Sequence, residues 1–218
     1  SYLDQFQPQK IFLEAQWIKA QNIPSIIVAD IPPSSILLAD LVDAPLLWVG
    51  NFGWDDIYEP LGGKFIEYAE AAKASYKKGE LLLRCPFSLP MKWGLKELSI
   101  GLTASSPRDL PSRFQKNILD FKGPIVMIGF GDELNSNLFN LWPEHLFIMA
   151  QPSTKDNFND YAYTRNLIFL PASSRIVDAM PFCTRHLGKP GYSSFCEAMS
   201  LQIRMHVFKR EGFAESDV

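Results

Sequence analysis

Short apolar runs alternate with helix-like stretches along almost the whole chain, and nothing else in the sequence constrains the fold as tightly. The runs SIIVA (25–29), LLWV (46–49), LLL (81–83), IVMI (125–128), LFIM (146–149), LIFL (167–170) and MHVF (205–208) read as strands buried on both faces. Helix candidates lie between them at about 34–43, 62–78, 111–119, 134–141 and 192–201. A strand with two apolar faces needs helices on both sides, and strand–helix alternation supplies them as βαβ units on a parallel sheet. The expected fold class is α/β.

The chain has 218 residues, room for one large domain or two small ones. Between the runs at 81–83 and 125–128 stand Pro86, Pro90, Pro107 and Pro111, which lack the N–H that a continuous ladder or helix needs. A junction is therefore expected near residue 105, giving an N-terminal Rossmann-like domain over 1–105 and a C-terminal one over 106–218. The second half restarts with a helix, the turn Lys122-Gly123-Pro124, a strong strand and the glycine-containing loop Gly129-Phe130-Gly131-Asp132.

Charge and cysteine content remove several classes of function. Lys and Arg total 21 against 24 Asp and Glu, a net charge of −3, so there is no cationic excess to neutralise a phosphate backbone, and nucleic acid is not an expected partner. Cys85, Cys183 and Cys196 are odd in number and show no C-x-x-C spacing, which fits neither a disulfide framework nor a zinc site. No metal is expected. No apolar run approaches the roughly 18 residues of a membrane span, and the start SYLDQFQPQK has no signal-like apolar core. The expectation is a soluble cytoplasmic protein, and its start at Ser1 and end at Val218 suggest a fragment lacking both ends.

The densest chemical signal is LGKPGYSSFCEAM (187–199). A strand end leads into a glycine turn, and Ser193 and Ser194 stand at the start of a helix, where their hydroxyls can cap it and its N–H groups can receive a diphosphate. Glu197 follows Ser194 by three residues. It is either the far half of a capping box or a carboxylate that accepts the vicinal hydroxyls of a sugar. Lys189 is either a phosphate contact or a solvated loop lysine, and His186, beside the turn, is of interest if it faces a cleft.

Two carboxylates sit where α/β sheets place ligands, at strand carboxyl ends: Asp30 and Asp55. Each has an ordinary alternative as the cap of the helix that follows it. Phe52, Trp54 and Tyr58 either stack on a ligand or anchor their loop, and Arg84 follows a strand end with no evident partner.

Three strings carry a resemblance. The segment at 187–199, followed by a strand and then KREGFAE (209–215), resembles the donor-binding segment of GT-B glycosyltransferase-like proteins, roughly G-K-x-G-Y-G-T-x-x-E-A. VADIPP (28–33) and VGNFGWDDIY (49–58) look like the S-D-x-x-P and N-F-x-W-D-x-I-Y segments of the same group, which includes the glycosyltransferase-like N-terminal part of arabinokinase-type proteins. The match runs in order over about 26–215.

The resemblance implies two Rossmann-like domains facing across a cleft, the first offering an acceptor surface and the second holding a nucleotide sugar, with no cofactor and no metal. On that basis the donor-binding residues are Gly129, Phe130, Gly131, Lys189, Gly191, Tyr192, Ser193, Ser194 and Glu197. Asn51 and Trp54 are acceptor-side residues, and Asp30 and Asp55 are the candidate catalytic carboxylates. A UDP-sugar is favoured by analogy with fold relatives. Ser193 and Ser194 replace the usual glycine and threonine, CTRH (183–186) replaces a hydrophobic strand with an acidic residue, and the opening that supplies a catalytic histidine in many such enzymes is not visible. The expected function is transfer of a sugar from a nucleotide sugar to an acceptor that the sequence does not reveal. A non-catalytic sugar-nucleotide-binding module and a sugar-nucleotide epimerase are the alternatives.

Overall fold

The computed structural model describes residues 8–130, 136–151 and 164–208. The chain divides into two compact units between Leu102 and Thr103, each built on its own parallel sheet.

The first unit runs α1 (Pro8–Ala20), β1 (Ile27–Ala29), α2 (Ser35–Val42), β2 (Leu46–Gly50), α3 (Trp54–Tyr58), α4 (Phe65–Tyr76), β3 (Leu81–Arg84) and β4 (Lys96–Ser99). Its strands lie in sequence order, β1-β2-β3-β4, all parallel. Side chains alternate across β2, so Leu46 and Trp48 enter the core while Leu47 and Val49 are only half-buried. Burial on both faces, expected for all the strands, is not seen in this unit: Ile26 and Val28, before and in β1, are exposed.

Three aromatics organise the core. The fully buried Trp48 donates its indole N–H to the Tyr76 carbonyl (2.9 Å), and Tyr76 stacks on Trp93 with centroids 4.1 Å apart. Each such buried ring contributes about 2–3 kcal/mol by area alone. The Tyr76 hydroxyl donates to the Ile31 carbonyl (2.9 Å) and accepts the Trp54 N–H (3.2 Å), so the end of α4 fixes the loops that follow β1 and β2. Ile31 is held at φ 56°, an unusual conformation for a β-branched residue, by that bond and by burial of its side chain.

The second unit runs α5 (Ser112–Asp120), β5 (Ile125–Gly129), a short 3-10 helix (Ser136–Leu141), β6 (Leu146–Met149), β7 (Leu167–Phe169), α6 (Ile176–Ala179), β8 (Arg185–Gly188), α7 (Tyr192–Ser200) and β9 (Arg204–Val207). The strand order is β7-β6-β5-β8-β9, all parallel. Residues 125–128 and 146–149 are buried throughout, as the apolar runs led us to expect. Connections from β5 go outward in one direction to β6 and β7 and in the other to β8 and β9. The chain therefore reverses direction at the β5/β8 pair, and in open α/β sheets ligands bind outside the strand carboxyl ends at such a point.

One strand was not read from the sequence, and of another only the end was. β4 (Lys96–Ser99) is a fully exposed edge strand with charged residues, tied to β3 by the Arg84 guanidinium, which donates to both Glu97 oxygens (2.8 and 3.0 Å). Arg84 also donates to Ser88 and to the Leu89 and Pro90 carbonyls, so it is a loop fastener. β8 is central, but His186 occupies a core position in it, in register with Met127 and Met205. No helix among the described residues is long and apolar enough to cross a membrane.

Candidate functional site

At the switch point Gly129, the last residue of β5, pairs with Gly188, the last residue of β8. Both glycines are required by one neighbour. A Cβ at Gly129 would stand 2.7 Å from His186 Nε2, and a Cβ at Gly188 2.6 Å from the same atom. His186 is fully buried, and among the described residues neither ring nitrogen has a hydrogen-bond partner. Burial pushes its pKa down, so the imidazole is neutral. It belongs to the floor beneath the turn rather than to an open surface.

Beyond Gly188 the chain turns through Lys189, which is exposed, and the Gly191 N–H donates to the Lys189 carbonyl (2.8 Å). Gly191, in extended conformation, is the N-cap of α7, and no side chain caps the helix. Helix geometry leaves the first N–H groups, those of Tyr192, Ser193 and Ser194, without intrahelical acceptors, and the macrodipole places partial positive charge there. The serines expected to cap the helix lie inside its first turn instead, Ser193 exposed and Ser194 half-buried. Phe130 is half-buried, packed on the cluster around Val126 and Phe147 and edge-on to Phe208 (5.3 Å). Gly131 lies outside the described residues.

Glu197 is not part of a capping box. With Gly191 as the N-cap, it falls in the second turn of α7, where it shares a face with Ser193 and Ser194 at i−4 and i−3. Cys196 and Ala198 are buried, and Ala198 packs against Val177 and Met180, which fixes the helix's rotation. Glu197 itself is half-buried. Its pKa is raised by burial, against which a hydrogen bond with the Ser105 side chain and the nearby Arg175 charge favour the ionised form.

Arg175 and Asp178 were not singled out in the sequence, although Arg-x-x-Asp flanking a helix start is a legible capping pattern. Asp178 is buried. It accepts the Arg175 N–H (2.8 Å), the Arg108 N–H (2.9 Å) and the Arg175 guanidinium (2.6 Å to Nη2). Burial alone would raise its pKa, but these bonds outweigh it and hold the carboxyl well below the usual range. Arg175 Nη2 also donates to the Ser106 carbonyl (2.8 Å). The segment from Ser106 to Arg108 is thereby fastened to the start of α6.

In the first unit the candidates separate by exposure. Asp30, directly after β1, is exposed, and α2 has Ser34 as its N-cap, so Asp30 does not cap it. Asp55 is buried, and both its oxygens accept the Trp93 indole N–H (3.1 and 3.0 Å). Burial first, then the neighbouring Asp56 charge, raises its pKa. Asp55 is thus committed to the core; the N-cap of α3 is Gly53, and Asp56 in its first turn accepts the Gly53 N–H (3.1 Å) and the Met91 N–H (3.1 Å). Asn51 is buried, with its carbonyl accepting the Leu89 N–H (2.7 Å). Trp54 is half-buried between Phe52 (5.6 Å, edge-on) and Tyr58 (5.5 Å, stacked), the geometry of an anchored aromatic row.

Among the described residues no group of three or more His, Cys, Asp or Glu side chains is placed to hold a metal. A cavity of ≈ 530 Å³ opens at the amino ends of β5, β8 and β9, bordered by Pro124, His145, Cys183, Arg185 and Arg204. It lies at the opposite edge of the sheet from the switch-point turn.

No family model matches the chain, and no curated protein matches it. Solved structures do. A UDP-glucosyltransferase from Polygonum tinctorium capable of glucosylating indoxyl superposes with a TM-score of 0.68 at 11% identity, covering 99% of this chain and 63% of that one. Arabidopsis thaliana UGT89C1 complexed with UDP gives 0.67 at 10% identity, covering 95% and 60%. A putative UDP-N-acetylglucosamine 2-epimerase from Listeria monocytogenes gives 0.65 at 9% identity, covering 99% and 64%. The chain thus spans somewhat under two thirds of the length of each. At these identities the likeness is one of fold, the GT-B type of α/β architecture with parallel sheets.

Proposed function

We propose that the second unit binds the nucleoside diphosphate portion of a nucleotide sugar, uridine favoured, and that the protein transfers its sugar to an acceptor hydroxyl. The observation that carries this reading is the position of Glu197, one turn beyond the uncapped, glycine-led start of α7, at the carboxyl end of switch-point strand β8. The N–H groups of Tyr192, Ser193 and Ser194 receive the diphosphate, Lys189 adds a point charge, and Glu197 accepts the ribose hydroxyls. Gly129 and Phe130, at the end of β5, belong to the facing segment. Solved neighbours complexed with UDP and with UDP-L-rhamnose support the choice of nucleotide for testing.

Transfer requires the acceptor oxygen to lose its proton and bond to the anomeric carbon while the carbon–phosphate oxygen bond breaks and the nucleoside diphosphate leaves. The start of α7 stabilises the departing charge. Asp30, exposed at the end of β1, is the carboxylate for the proton, while Asp55 holds Trp93, and Asn51 and Trp54 shape the acceptor side. Melting curves with UDP, GDP, ADP and dTDP test the donor: stabilisation by UDP alone supports this reading, and no shift with any of them contradicts it.

The Listeria neighbour favours one second reading, epimerisation of a nucleotide sugar. Proton NMR of UDP-N-acetylglucosamine incubated with the protein and no acceptor separates the two, because an epimerase converts it and a transferase does not.

A further inference from the structure

The turn after β1 is held in a conformation that its own residues do not favour. Ile31 sits at φ 56°, in the left-handed region that β-branched side chains rarely adopt. Three contacts keep it there. The Tyr76 hydroxyl donates to the Ile31 carbonyl (2.9 Å), the Ile31 side chain is buried in the core of the first unit, and Gly50, the last residue of β2, clears the space beside it. A Cβ at Gly50 would stand 2.7 Å from Ile31 Cγ2. Tyr76 is itself held, fully buried and stacked on Trp93 (4.1 Å), and its hydroxyl also accepts the Trp54 N–H (3.2 Å). Asp30 directly precedes Ile31. It is exposed, and its Oδ1 leans over the end of β2, 3.8 Å from the Cβ position of Gly50. Strain of this kind persists only where the surroundings over-determine it, and it is concentrated where a group must be aimed.

We infer that Tyr76 is a positioning residue for sugar transfer: acting through Ile31, its hydroxyl holds the Asp30 carboxylate over the end of β2. This rests on the proton-accepting role given to Asp30 above and adds a claim that can fail separately. Without the hydroxyl, Ile31 returns toward an extended conformation, the peptide that joins it to Asp30 rotates, and the carboxylate loses its direction. A reacting group misplaced by about 1 Å costs up to about a hundredfold in rate. The same oxygen accepts the Trp54 N–H, so the turn that carries Asp30 and the turn that carries Trp54 are tied to one point.

Tyr76→Phe removes the hydroxyl and leaves the ring against Trp48 and Trp93. Two measurements separate the claims. The first needs no ligand: in ¹³C NMR spectra of the free protein, the Ile31 Cα resonance moves toward extended-chain values in Tyr76→Phe. An unmoved Ile31 resonance overturns the inference. The second is kinetic, with UDP-glucose as donor and methanol as acceptor, whose oxygen replaces UDP on the anomeric carbon while its proton passes to Asp30. Asp30→Asn lowers kcat by about a hundredfold and Tyr76→Phe by about tenfold, while KM for UDP-glucose stays within about twofold of wild type in both. Gly50→Ala presses on Ile31 Cγ2 from the other side, lowers kcat in the same way, and provides the readout should Tyr76→Phe fold poorly. Undiminished kcat in Tyr76→Phe and Gly50→Ala, beside the loss in Asp30→Asn, overturns the inference and leaves the role of Asp30 intact. Undiminished kcat in Asp30→Asn, or no methyl glucoside formed by wild type, overturns the role of Asp30, and the inference with it.

Discussion

Gly129 and Gly188 face each other across the parallel β5/β8 pair, and both give up their side-chain space to the imidazole of His186. The glycines at this strand edge thus have a packing duty that is independent of any ligand. Gly129→Ala and Gly188→Ala each force backbone or ring to move and should lower stability by about 1–3 kcal/mol. Urea melts test this, and His186→Ala in the background of Gly129→Ala should recover part of the loss. A neutral Gly129→Ala would show that the ring is not held as described.

His186 also sets a pH dependence. Its folded pKa lies below the unfolded value near 6.5, so the unfolded chain takes up a proton that the native state refuses. Stability is complete above about pH 6.5 and declines as pH falls below it. His186→Leu should flatten that decline. Parallel slopes for wild type and variant between pH 7.5 and 5.5, in urea melts, would contradict the assignment.

Asp55 and Trp93 form a buried pair in the first unit. Asp55→Ala strands the indole N–H and leaves a void, and should cost about 2–3 kcal/mol. Asp55→Asn keeps an acceptor and removes the charge that burial penalises, so it should be close to neutral at pH 7. Thermal melts of the two variants decide, and an equally severe loss in both would argue that the charge is essential.

Asp178 holds Arg108 and Arg175 to α6, and its removal should destabilise the second unit by about 2–3 kcal/mol through the stranded backbone N–H groups. The Arg175 side chain, 39% exposed, adds less because solvent screens it. The folded pKa is depressed, so this contribution is present above about pH 4 and is lost as pH falls further. Asp178→Asn should have a shallower acid limb than wild type in melts from pH 5 to pH 3.

Much of the fold was legible because its signals are local. Residues 125–128 and 146–149 are apolar throughout and are buried throughout, and the helix expected at about 192–201 forms at Tyr192–Ser200. Only the end of β8 was legible, because a core histidine reads as polar, and the side-by-side methionines of the neighbouring strands and the two glycines make room for it. At the candidate site, the glycine turn and Glu197 are close in sequence and could be read together. Ser105, Arg175 and Asp178 come together only through folding, and the capping roles given to Ser194 and Asp55 went wrong because one residue decides where a helix starts: Gly191 in α7 and Gly53 in α3.

Calorimetric titration of UDP into wild type, Glu197→Ala and Ser193→Ala tests the central claim most directly. The account predicts measurable binding in wild type, a loss of about tenfold or more in Glu197→Ala, roughly 1.4 kcal/mol, and a change of less than about threefold in Ser193→Ala. UDP affinity that is the same in Glu197→Ala as in wild type, with both proteins folded, would contradict it.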